Sequence, residues 1–266
     1  MSVRLPRERR LSFGPVADLY ERARPSYPPT LVDEILVYAR LQPADRILEV
    51  GAGTGKATRL FAGRAQPIVA LEPSAEMAAV ARQVCEDHPG VTIVERDSER
   101  WEIEPAAFQL LISGQAWHWT APETRYATAR RALRDGAALA VFWNRPDWPS
   151  CPLWEPLADA YRSTAPGLEP TGPMYPMTTA VDPAADWRAE VDAADGFGQA
   201  EVRGYPWSAR YSAEQYVGLL STHSDHIVLT PAVRDALLQR VAETIDAHGG
   251  TLELPYVTRL CLARAV

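Results

Sequence analysis

Three alternating glycines and the glutamate that follows them have the clearest potential for chemistry. Gly51, Gly53 and Gly55 separate a short apolar run from a helical pattern, and Glu72 ends the next apolar run. Glycines let a backbone approach a ligand closely, because they lack a Cβ and tolerate unusual dihedral angles. The helix start after them offers free N–H groups, and a carboxylate at this distance can bind ribose hydroxyls. This pattern predicts a nucleotide-type ligand; a glycine turn that binds nothing remains the alternative.

Three classes of ligand can be compared at this glycine turn. A phosphate-binding P-loop requires G-x-x-x-x-G-K-[ST], but Val50 stands at its first glycine and Ala57 at its hydroxyl position. A dinucleotide site requires G-x-G-x-x-G, and here Lys56 occupies the third glycine position, where a long side chain hinders helix–strand packing. S-adenosylmethionine has ribose and adenine but no pyrophosphate, and it is the ligand that this comparison favours.

Polar residues also follow the next predicted strands. Ser74 is positioned to cap the helix after the second strand, and Met77 in its first turn could pack on an adenine ring or in the core. Asp97 follows the third strand and could accept a hydrogen bond from an exocyclic amine, and Gln115 follows the fourth. Open α/β sheets bind ligands at these strand ends, so we expect the polar side chains to share one site.

The elements that position these residues alternate between strands and helices. The predicted strands are 46–48, 68–71, 91–94, 108–112, 137–143, 201–207, with an interruption near Pro206, and 257–265. The predicted helices follow Thr30, Gly55, Ser74, Thr120, Ser212 and Thr230. The starts at Thr30 and Thr120 rest on capping-box patterns, with Asp33 and Glu123 at the third position. This alternation predicts a parallel sheet with helices on both faces.

The segment after the fifth strand has a different composition. Residues 145–183 contain nine of the 23 prolines together with several aromatic residues, which is unfavourable for one continuous helix or strand. A loop of this length is usually functional or disordered, and its aromatic content argues against disorder. We interpret it as a lid over a substrate site, with a role in domain packing as the alternative.

The order of these motifs resembles class I S-adenosylmethionine-dependent methyltransferases of the small-molecule type. The segments "ILEVGAGTGKATRLFA", "VALEPSAEM", "DSE" and "LLISGQAWHW" are similar to the family's first four motifs. The leader "FGPVADLYERARPSYPPTLVDEIL" and residues 211–265 are similar to its N-terminal cap and its ending. The resemblance implies an α/β, Rossmann-like, doubly wound sheet of seven mostly parallel strands with an antiparallel last strand.

The same resemblance implies a domain plan and a set of cofactor residues. The plan is a helical cap at 1–40, a cofactor-binding core at 41–144, a lid insertion at 145–200 and completion of the sheet at 201–266. The cofactor would be S-adenosylmethionine and the product S-adenosylhomocysteine. The residues expected to bind it are Tyr20, Arg24, Glu49, Gly51, Gly53, Glu72, Pro73, Met77, Asp97, Ser98 and Gln115.

Methyl transfer requires an oriented nucleophile and, for a hydroxyl or a weak carbon nucleophile, a base. His118 is the candidate base or acceptor-orienting residue, because it follows the fourth strand and its ordinary pKa suits a general base. The alternative is an imidazole packed between Trp117 and Trp119. Tyr20 is a second catalytic candidate, since it resembles family positions that close over the cofactor.

The acceptor site is expected to be aromatic. The predicted acceptor-binding residues are Trp117, Trp119, Trp148, Tyr175, His223 and Asp225, with Trp154 as a further aromatic neighbour. Aromatic walls favour a flat, apolar acceptor such as an indole, phenol or polyketide ring. His223 and His226 would share a helix face, but no third ligand has suitable spacing, so we predict no metal site.

Composition restricts the partners. The 266 residues carry a net charge of −7 with a pI near 5.3, which disfavours nucleic acid, and no apolar stretch is long enough to span a bilayer. The basic cluster at 4–10 fits a disordered tail better than a nucleic-acid or membrane arm, and the N-terminus has no apolar segment of the kind that a signal peptide needs. Three scattered cysteines fit the cytoplasm. We expect a small-molecule methyltransferase that is a monomer or a homodimer and has no membrane partner. One alternative is a cofactor-binding protein of the same fold with lost or repurposed catalysis. The other is a peptide or protein methyltransferase.

Overall fold

The computed structural model describes residues 13–64, 67–168, 174–176 and 183–266. Their strands are β1 Ile47–Val50, β2 Ile68–Leu71, β3 Val91–Val94, β4 Phe108–Gly114, β5 Leu133–Pro146, β6 Glu201–Ser212 and β7 Thr251–Arg264. They form one sheet in the order β3-β2-β1-β4-β5-β7-β6. Strands β1 to β5 pair in parallel, and β7 is antiparallel to both β5 and β6. The predicted Rossmann-like sheet with an antiparallel last strand is confirmed.

Helices surround this sheet. The α-helices of the described ranges are α1 Ala17–Ala23, α2 Pro29–Ala39, α3 Lys56–Ala62, α4 Ala75–Val84, α5 Arg125–Ala132, α6 Trp154–Thr164, α7 Pro183–Asp192, α8 Ala213–Leu220, α9 Ser224–Ile227 and α10 Pro231–Ala247. Short 3-10 helices occupy Gly14–Val16, Trp117–Trp119 and Trp148–Ser150. None of the helices that the structure describes combines the length and apolarity needed to cross a bilayer.

The central strands β1, β4 and β5 are buried on both faces over most of their length, as their apolar sequences require. Successive residues of β5 alternate between two hydrophobic clusters: Val141 and Trp143 belong to one cluster, and Ala140 and Phe142 belong to the other. Side chains of a strand point alternately to its two faces, so these clusters are the two layers between sheet and helices. Helices therefore pack on both faces of the central strands, and this packing fixes the positions of the strand ends.

Two of the predicted helix starts are wrong. Helix α2 begins at Pro29 after an N-cap at Pro28, so Thr30 lies inside the first turn and caps nothing. Proline is suited to a first helical position because its missing N–H would have no partner there. The hydroxyl of Thr120 donates instead to the carbonyl of Trp117 at 2.7 Å, and α5 starts only at Arg125.

Other helix starts match the sequence pattern. Ser74 caps α4 by accepting a hydrogen bond from the backbone N–H of Met77 at 3.3 Å. Ser212 and Gln215 form the reciprocal capping box that opens α8. Pro231 is at the start of α10 as expected.

The interruption expected near Pro206 is absent from β6. This strand pairs with β7 along its whole length, and Pro206 lies opposite Val257. The sheet order places β6 at an edge, where a residue without an N–H is tolerated. Together, β6 and β7 form a long antiparallel ribbon that extends beyond the shorter parallel strands.

The range 145–200 is largely packed in its described part. Its first two residues belong to β5, and α6 packs against α10. A third hydrophobic cluster joins Trp148 and Tyr161 of this range to Tyr216 and Leu237 of the C-terminal helices. Helix α7 packs on β6 and β7. Residues 169–173 and 177–182 lie outside the described chain, and a lid role for this range stays a prediction.

Candidate functional site

One cavity lies at the carboxyl ends of the parallel strands. Its volume is about 730 Å³, and it is open between the ends of β1 and β4, where the strand order reverses. Ligands of doubly wound sheets bind at this switch point. Every residue predicted to bind the cofactor lines this cavity: Tyr20, Arg24, Glu49, Gly51, Gly53, Glu72, Pro73, Met77, Asp97, Ser98 and Gln115.

The glycine turn forms the floor of the cavity with bare backbone. Gly51, Gly53 and Gly55 have φ values of 76°, 58° and 85°, in the left-handed region that disfavours side chains. The N–H of Gly51 donates to the carbonyl of Leu71 at 2.9 Å, which ties the turn to β2. A Cβ on Gly51 would lie 2.3 Å from the Cβ of Ala116, so only glycine fits at this contact.

Glu72 fixes the turn from the end of β2. Its carboxylate accepts hydrogen bonds from the backbone N–H of Gly53 at 2.8 Å and of Ser74 at 2.9 Å. The side chain is buried in the cavity wall beside Pro73. Glu72 thus organises the glycine turn itself and presents a carboxylate where the sequence predicts ribose hydroxyls.

Glu49 is a second buried carboxyl group at the end of β1. It accepts a hydrogen bond from the hydroxyl of Thr58 at 2.6 Å. Burial raises the pKa of Glu49, the hydrogen bond from Thr58 lowers it and the charge of Glu72 raises it, which leaves the pKa at about 7. Near neutral pH this group therefore exchanges a proton, whereas most surface glutamates are fully ionised.

Helix α1 closes the cavity over the glycine turn. Glu21 of this helix accepts a hydrogen bond from Thr54 at 2.6 Å and forms an ion pair with Arg59 at 2.6 Å. Lys56 donates to the backbone carbonyl of Glu21 and lies 3.5 Å from its carboxylate. We call Glu21, Thr54, Lys56 and Arg59 the cap latch, because they join α1 to the turn and to α3.

Arg24, just after α1, joins the cap to the C-terminal helices. Its Nε donates to the hydroxyl of Thr222 and its Nη2 to the carbonyl of the same residue, both at 2.8 Å. The guanidinium also lies 4.8 Å from the centre of the Tyr20 ring. Tyr20 and Arg24 consequently form one wall of the cavity, next to Gln115 and His118 at the end of β4.

His118 lines the cavity as a neutral imidazole. The indole N–H of Trp143 donates to its Nδ1 at 3.3 Å, so the ring proton resides on Nε2. Burial, together with the charges of Arg145 and Arg125, lowers the pKa of His118 to about 3. A neutral imidazole with Nδ1 already engaged can donate from Nε2, but it has no free lone pair to take a proton.

The predicted aromatic acceptor residues are divided between the cavity and the core. Trp119 lines the cavity, whereas Trp117 packs in the core with its ring centre 5.8 Å from that of Tyr126. Trp148 and Tyr175 belong to the third hydrophobic cluster, outside the described cavity wall. Trp154 packs against that same cluster. Whether each aromatic residue lines the cavity or packs in the core depends on the direction of its side chain, which the spacing of residues in the sequence does not reveal.

Three aromatic residues that sequence reasoning missed line the cavity: Phe13, Tyr27 and Tyr256. Tyr27 lies in the leader that suggested the cap, and its ring centre is 4.8 Å from that of Phe142. Tyr256 is on β7 and reaches the site because β7 is next to β5 in the sheet. No local sequence pattern predicts that Tyr256 lines the cavity.

His223 and Asp225 line the cavity, and His226 turns away from it. Tyr161 and His226 Nε2 form a hydrogen bond of 2.7 Å, and His226 Nδ1 lies 2.8 Å from Asp225. His223 Nε2 and Asp225 Oδ2 have no hydrogen-bond partner among the described residues. The pKa of His223 is well below its usual value because of burial and the charges of Arg24, His226 and Arg145.

Burial raises the pKa of the Asp225 carboxyl, but hydrogen bonds and charge from His226 outweigh this effect, so its pKa is lowered. Asp225 is therefore ionised at neutral pH. Within the described ranges, no group of three metal-binding side chains is present.

Arg145, at the end of β5, is a cavity residue that the sequence did not reveal. Its Nη1 donates to the side-chain oxygen of Gln115 at 3.3 Å and to the carbonyl of Asn144 at 3.2 Å. The Asn144 side chain donates to the carbonyl of Ser26 at 3.0 Å and accepts from Thr258 at 2.7 Å. The end of β5 is thus fixed to both the cap and β7.

Comparisons with known proteins agree with the motifs. A family model described as a methyltransferase domain matches residues 47–136. An uncharacterized methyltransferase of Mycobacterium tuberculosis is 28% identical over 261 residues, covering 95% of each chain. A proposed type II methyltransferase from Anaeromyxobacter dehalogenans has a TM-score of 0.64 and 23% identity, covering 91% of this chain and 97% of that chain. The [4+2]-cyclase SpnF has a TM-score of 0.56 and 17% identity, covering 100% of this chain and 99% of that chain.

Proposed function

Because the chain has the motifs and the fold of a class I S-adenosylmethionine-dependent methyltransferase, we propose that it methylates a small molecule that shares one cavity with the cofactor. The observation that carries this proposal is the continuity of the cavity from the glycine turn to His118 and Arg145. A volume of about 730 Å³ lies within the usual range for small-ligand sites. The cap latch and Arg24 close this space toward the N-terminal side, which favours a small acceptor over a folded protein.

The residues at the glycine turn fit the cofactor. The tight contact of Gly51 with Ala116 leaves a floor of bare backbone on which a ligand can lie closely. In this proposal Glu72 binds the ribose hydroxyls, Asp97 binds the adenine amine and Met77 packs on the adenine ring. Arg24 is suited to the methionine carboxylate, because guanidinium–carboxylate pairs are strong and directional.

The bound cofactor supplies an electrophilic methyl group that is attached to a sulfonium sulfur. When the acceptor takes the methyl group, the carbon–sulfur bond breaks and the rest of the cofactor leaves as a thioether. The protein must orient the acceptor so that a lone pair of its nucleophilic atom faces the methyl group. We assign His118 the role of orienting the acceptor, to which its Nε2–H donates a hydrogen bond. The hydrogen bond from Trp143 and the lowered pKa of His118 support this role over that of a base.

The acceptor that the cavity fits is partly apolar. Trp119, Tyr27 and Tyr256 supply aromatic surface, and Leu219 and Val228 supply aliphatic surface. This lining supports an aromatic or natural-product-like acceptor, although the aromatic residues differ from most of those expected. Rings fit such a site because their faces pack on other rings or on aliphatic groups.

A repurposed active site is the second candidate function. It is favoured by the likeness in fold to SpnF, which is a [4+2]-cyclase. In that case the protein would bind S-adenosylmethionine but transfer no methyl group. The two candidates make the same prediction for cofactor binding and opposite predictions for turnover.

The test begins with calorimetric titration of the protein with S-adenosylmethionine and S-adenosylhomocysteine. We expect micromolar binding of both, and transfer of labelled methyl from the cofactor to a member of a panel of small ring-containing acceptors. Binding without transfer to any panel member would favour the repurposed site. Absence of binding to either compound would overturn the proposed function.

A further inference from the structure

We propose that the acceptor is a small organic acid and that Arg145 binds its carboxylate. This inference rests on the proposed methyl transfer and specifies the chemistry of its acceptor. It assigns to Arg145 a specificity-determining role that none of the sequence motifs indicates.

The hydrogen bonds of Arg145 leave its charge unbalanced. Its guanidinium donates to two neutral oxygens, the Gln115 side chain and the Asn144 carbonyl. Across the described ranges, no carboxylate lies within 4 Å of Arg145. Arg145 is partly buried, a charge that is partly withdrawn from water without an opposite charge is unfavourable, and an anionic ligand in the cavity relieves that penalty.

The ionisable groups that interact with Arg145 are cationic or neutral. Burial and the charge of Arg24 lower the pKa of Arg145 and Tyr27 raises it, which leaves the pKa at about 10. Arg145 in turn lowers the pKa of His118 and of His223, which are both neutral histidines. Arg145 stays protonated at neutral pH, so this end of the cavity is positive.

Four carboxyl groups line the cavity; Asp97 follows β3, and the other three have partners of their own. Glu49 accepts from Thr58 near the glycine turn, and Glu72 accepts from the backbone of that turn. Asp225 is held by His226, which also supplies the charge that lowers its pKa. None of these three is among the groups whose charge affects the pKa of Arg145.

The methionine part of the cofactor has a single carboxylate, whereas Arg24 and Arg145 both line this cavity; the third cavity arginine, Arg96, lies just past β3. Arg24 is the better partner for that carboxylate, since it follows α1 and is fixed by Thr222 beside Tyr20. Arg145 then remains for the acceptor. Its planar guanidinium suits a carboxylate, which it can bind through two parallel hydrogen bonds.

His223 provides a second, independent observation at this end. Its Nε2 is buried in the cavity wall and has no partner among the residues that the structure describes. A buried polar atom without a partner is unfavourable unless a ligand satisfies it. As a neutral imidazole, His223 can donate from Nε2 to an acceptor oxygen without opposing Arg145.

The test uses the full chain saturated with S-adenosylhomocysteine and pairs of acids and primary amides. The probes are benzoate with benzamide, phenylacetate with phenylacetamide, cinnamate with cinnamamide, and succinate with succinamide. Calorimetric titration should show at least one acid binding ten-fold or more tightly than its amide. Equal affinity within every pair, or no measurable binding of any acid, would overturn the proposal.

Variants connect this preference to one side chain. Arg145→Gln should abolish the preference for the acid, while Arg145→Lys, which keeps the charge but loses the planar fork, should retain part of it. Arg188→Gln is the matched control, because Arg188 is half-exposed on α7 and lies outside the described cavity wall. If Arg145→Gln keeps the acid preference while it binds S-adenosylhomocysteine normally, Arg145 is not the carboxylate site.

This design separates the inference from the proposed function. Failure of S-adenosylhomocysteine to bind the unaltered protein contradicts the cofactor site, whatever the acceptor. Normal cofactor binding, with methyl transfer to amides as fast as to acids, contradicts only the carboxylate preference. If Arg145→Gln does not fold, the acid–amide comparison on the unaltered protein still decides the matter.

Discussion

Replacing Gly51 with alanine should destabilise the fold by an amount that the structure allows us to estimate. At φ 76°, a residue with a Cβ costs about 1–2 kcal/mol relative to glycine. The new Cβ would also lie 2.3 Å from the Cβ of Ala116, whereas carbon atoms prefer about 3.5–4.0 Å. Relief requires the turn after β4 to move, and such overpacking costs about 1–3 kcal/mol. We therefore expect the free energy of unfolding to fall by about 2–5 kcal/mol.

Gly53→Ala is the matched control. Gly53 has a similar backbone conformation, with φ 58°, but an added Cβ would have no atom within 4 Å among the described residues. Only the backbone contribution of about 1–2 kcal/mol should appear. Gly53 lines the cavity, so its new methyl group should weaken S-adenosylmethionine binding instead.

Urea unfolding of the three proteins measures the free energies, and calorimetry measures cofactor affinity. The expected pattern is a larger loss of stability in Gly51→Ala and a clear loss of affinity in the better folded Gly53→Ala. Equal stability of the two variants would refute the reasoning from the Ala116 contact. Unchanged affinity in Gly53→Ala would refute the assignment of this backbone to the cofactor.

Two further predictions concern His118 and Glu49. If His118 donates a hydrogen bond, His118→Ala should lower kcat about 10–100-fold, and His118→Gln, which can still donate, should lower kcat less. The pH profile of kcat should show no step near pH 6.5 that disappears in His118→Ala. Such a step would indicate that His118 acts as a base. For Glu49, whose folded pKa of about 7 exceeds its usual 4.5, the folded protein binds more protons between these values, so stability should fall as pH rises from 4.5 to 7. Glu49→Gln should remove that part of the slope in urea unfolding measured across the interval, and an identical slope would contradict the raised pKa.

The features that the sequence predicted are those set by local pattern. The glycine turn, the end of β2 at Glu72 and the cap at Ser74 depend on a few adjacent residues and on strand direction. Parallel strands bring their carboxyl ends to one edge, so polar residues at those ends had to meet. For this reason the sequence alone could predict which residues line the part of the cavity next to the glycine turn.

The acceptor half depended on contacts between distant segments. Tyr256 reaches the cavity only because β7 lies beside β5. Trp117 and Trp119 are two positions apart in one short helix, yet one packs in the core and the other lines the cavity. Thr120 resembled a helix cap because the pattern did not reveal that its hydroxyl closes the preceding turn.

The cap latch makes the acylation of one side chain, Lys56, a measure of how often the cap opens. Lys56 is the only lysine in the sequence, and its side chain is only 14% exposed because Glu21 holds it against α1. An acylating reagent can reach that amine freely only when the helix lifts from the glycine turn. The rate at which mass spectrometry detects acylation of Lys56 therefore measures how often the cap opens, and no engineered residue is needed. Ligands that seal the cavity will slow this reaction, and ligands that leave the cap open will not.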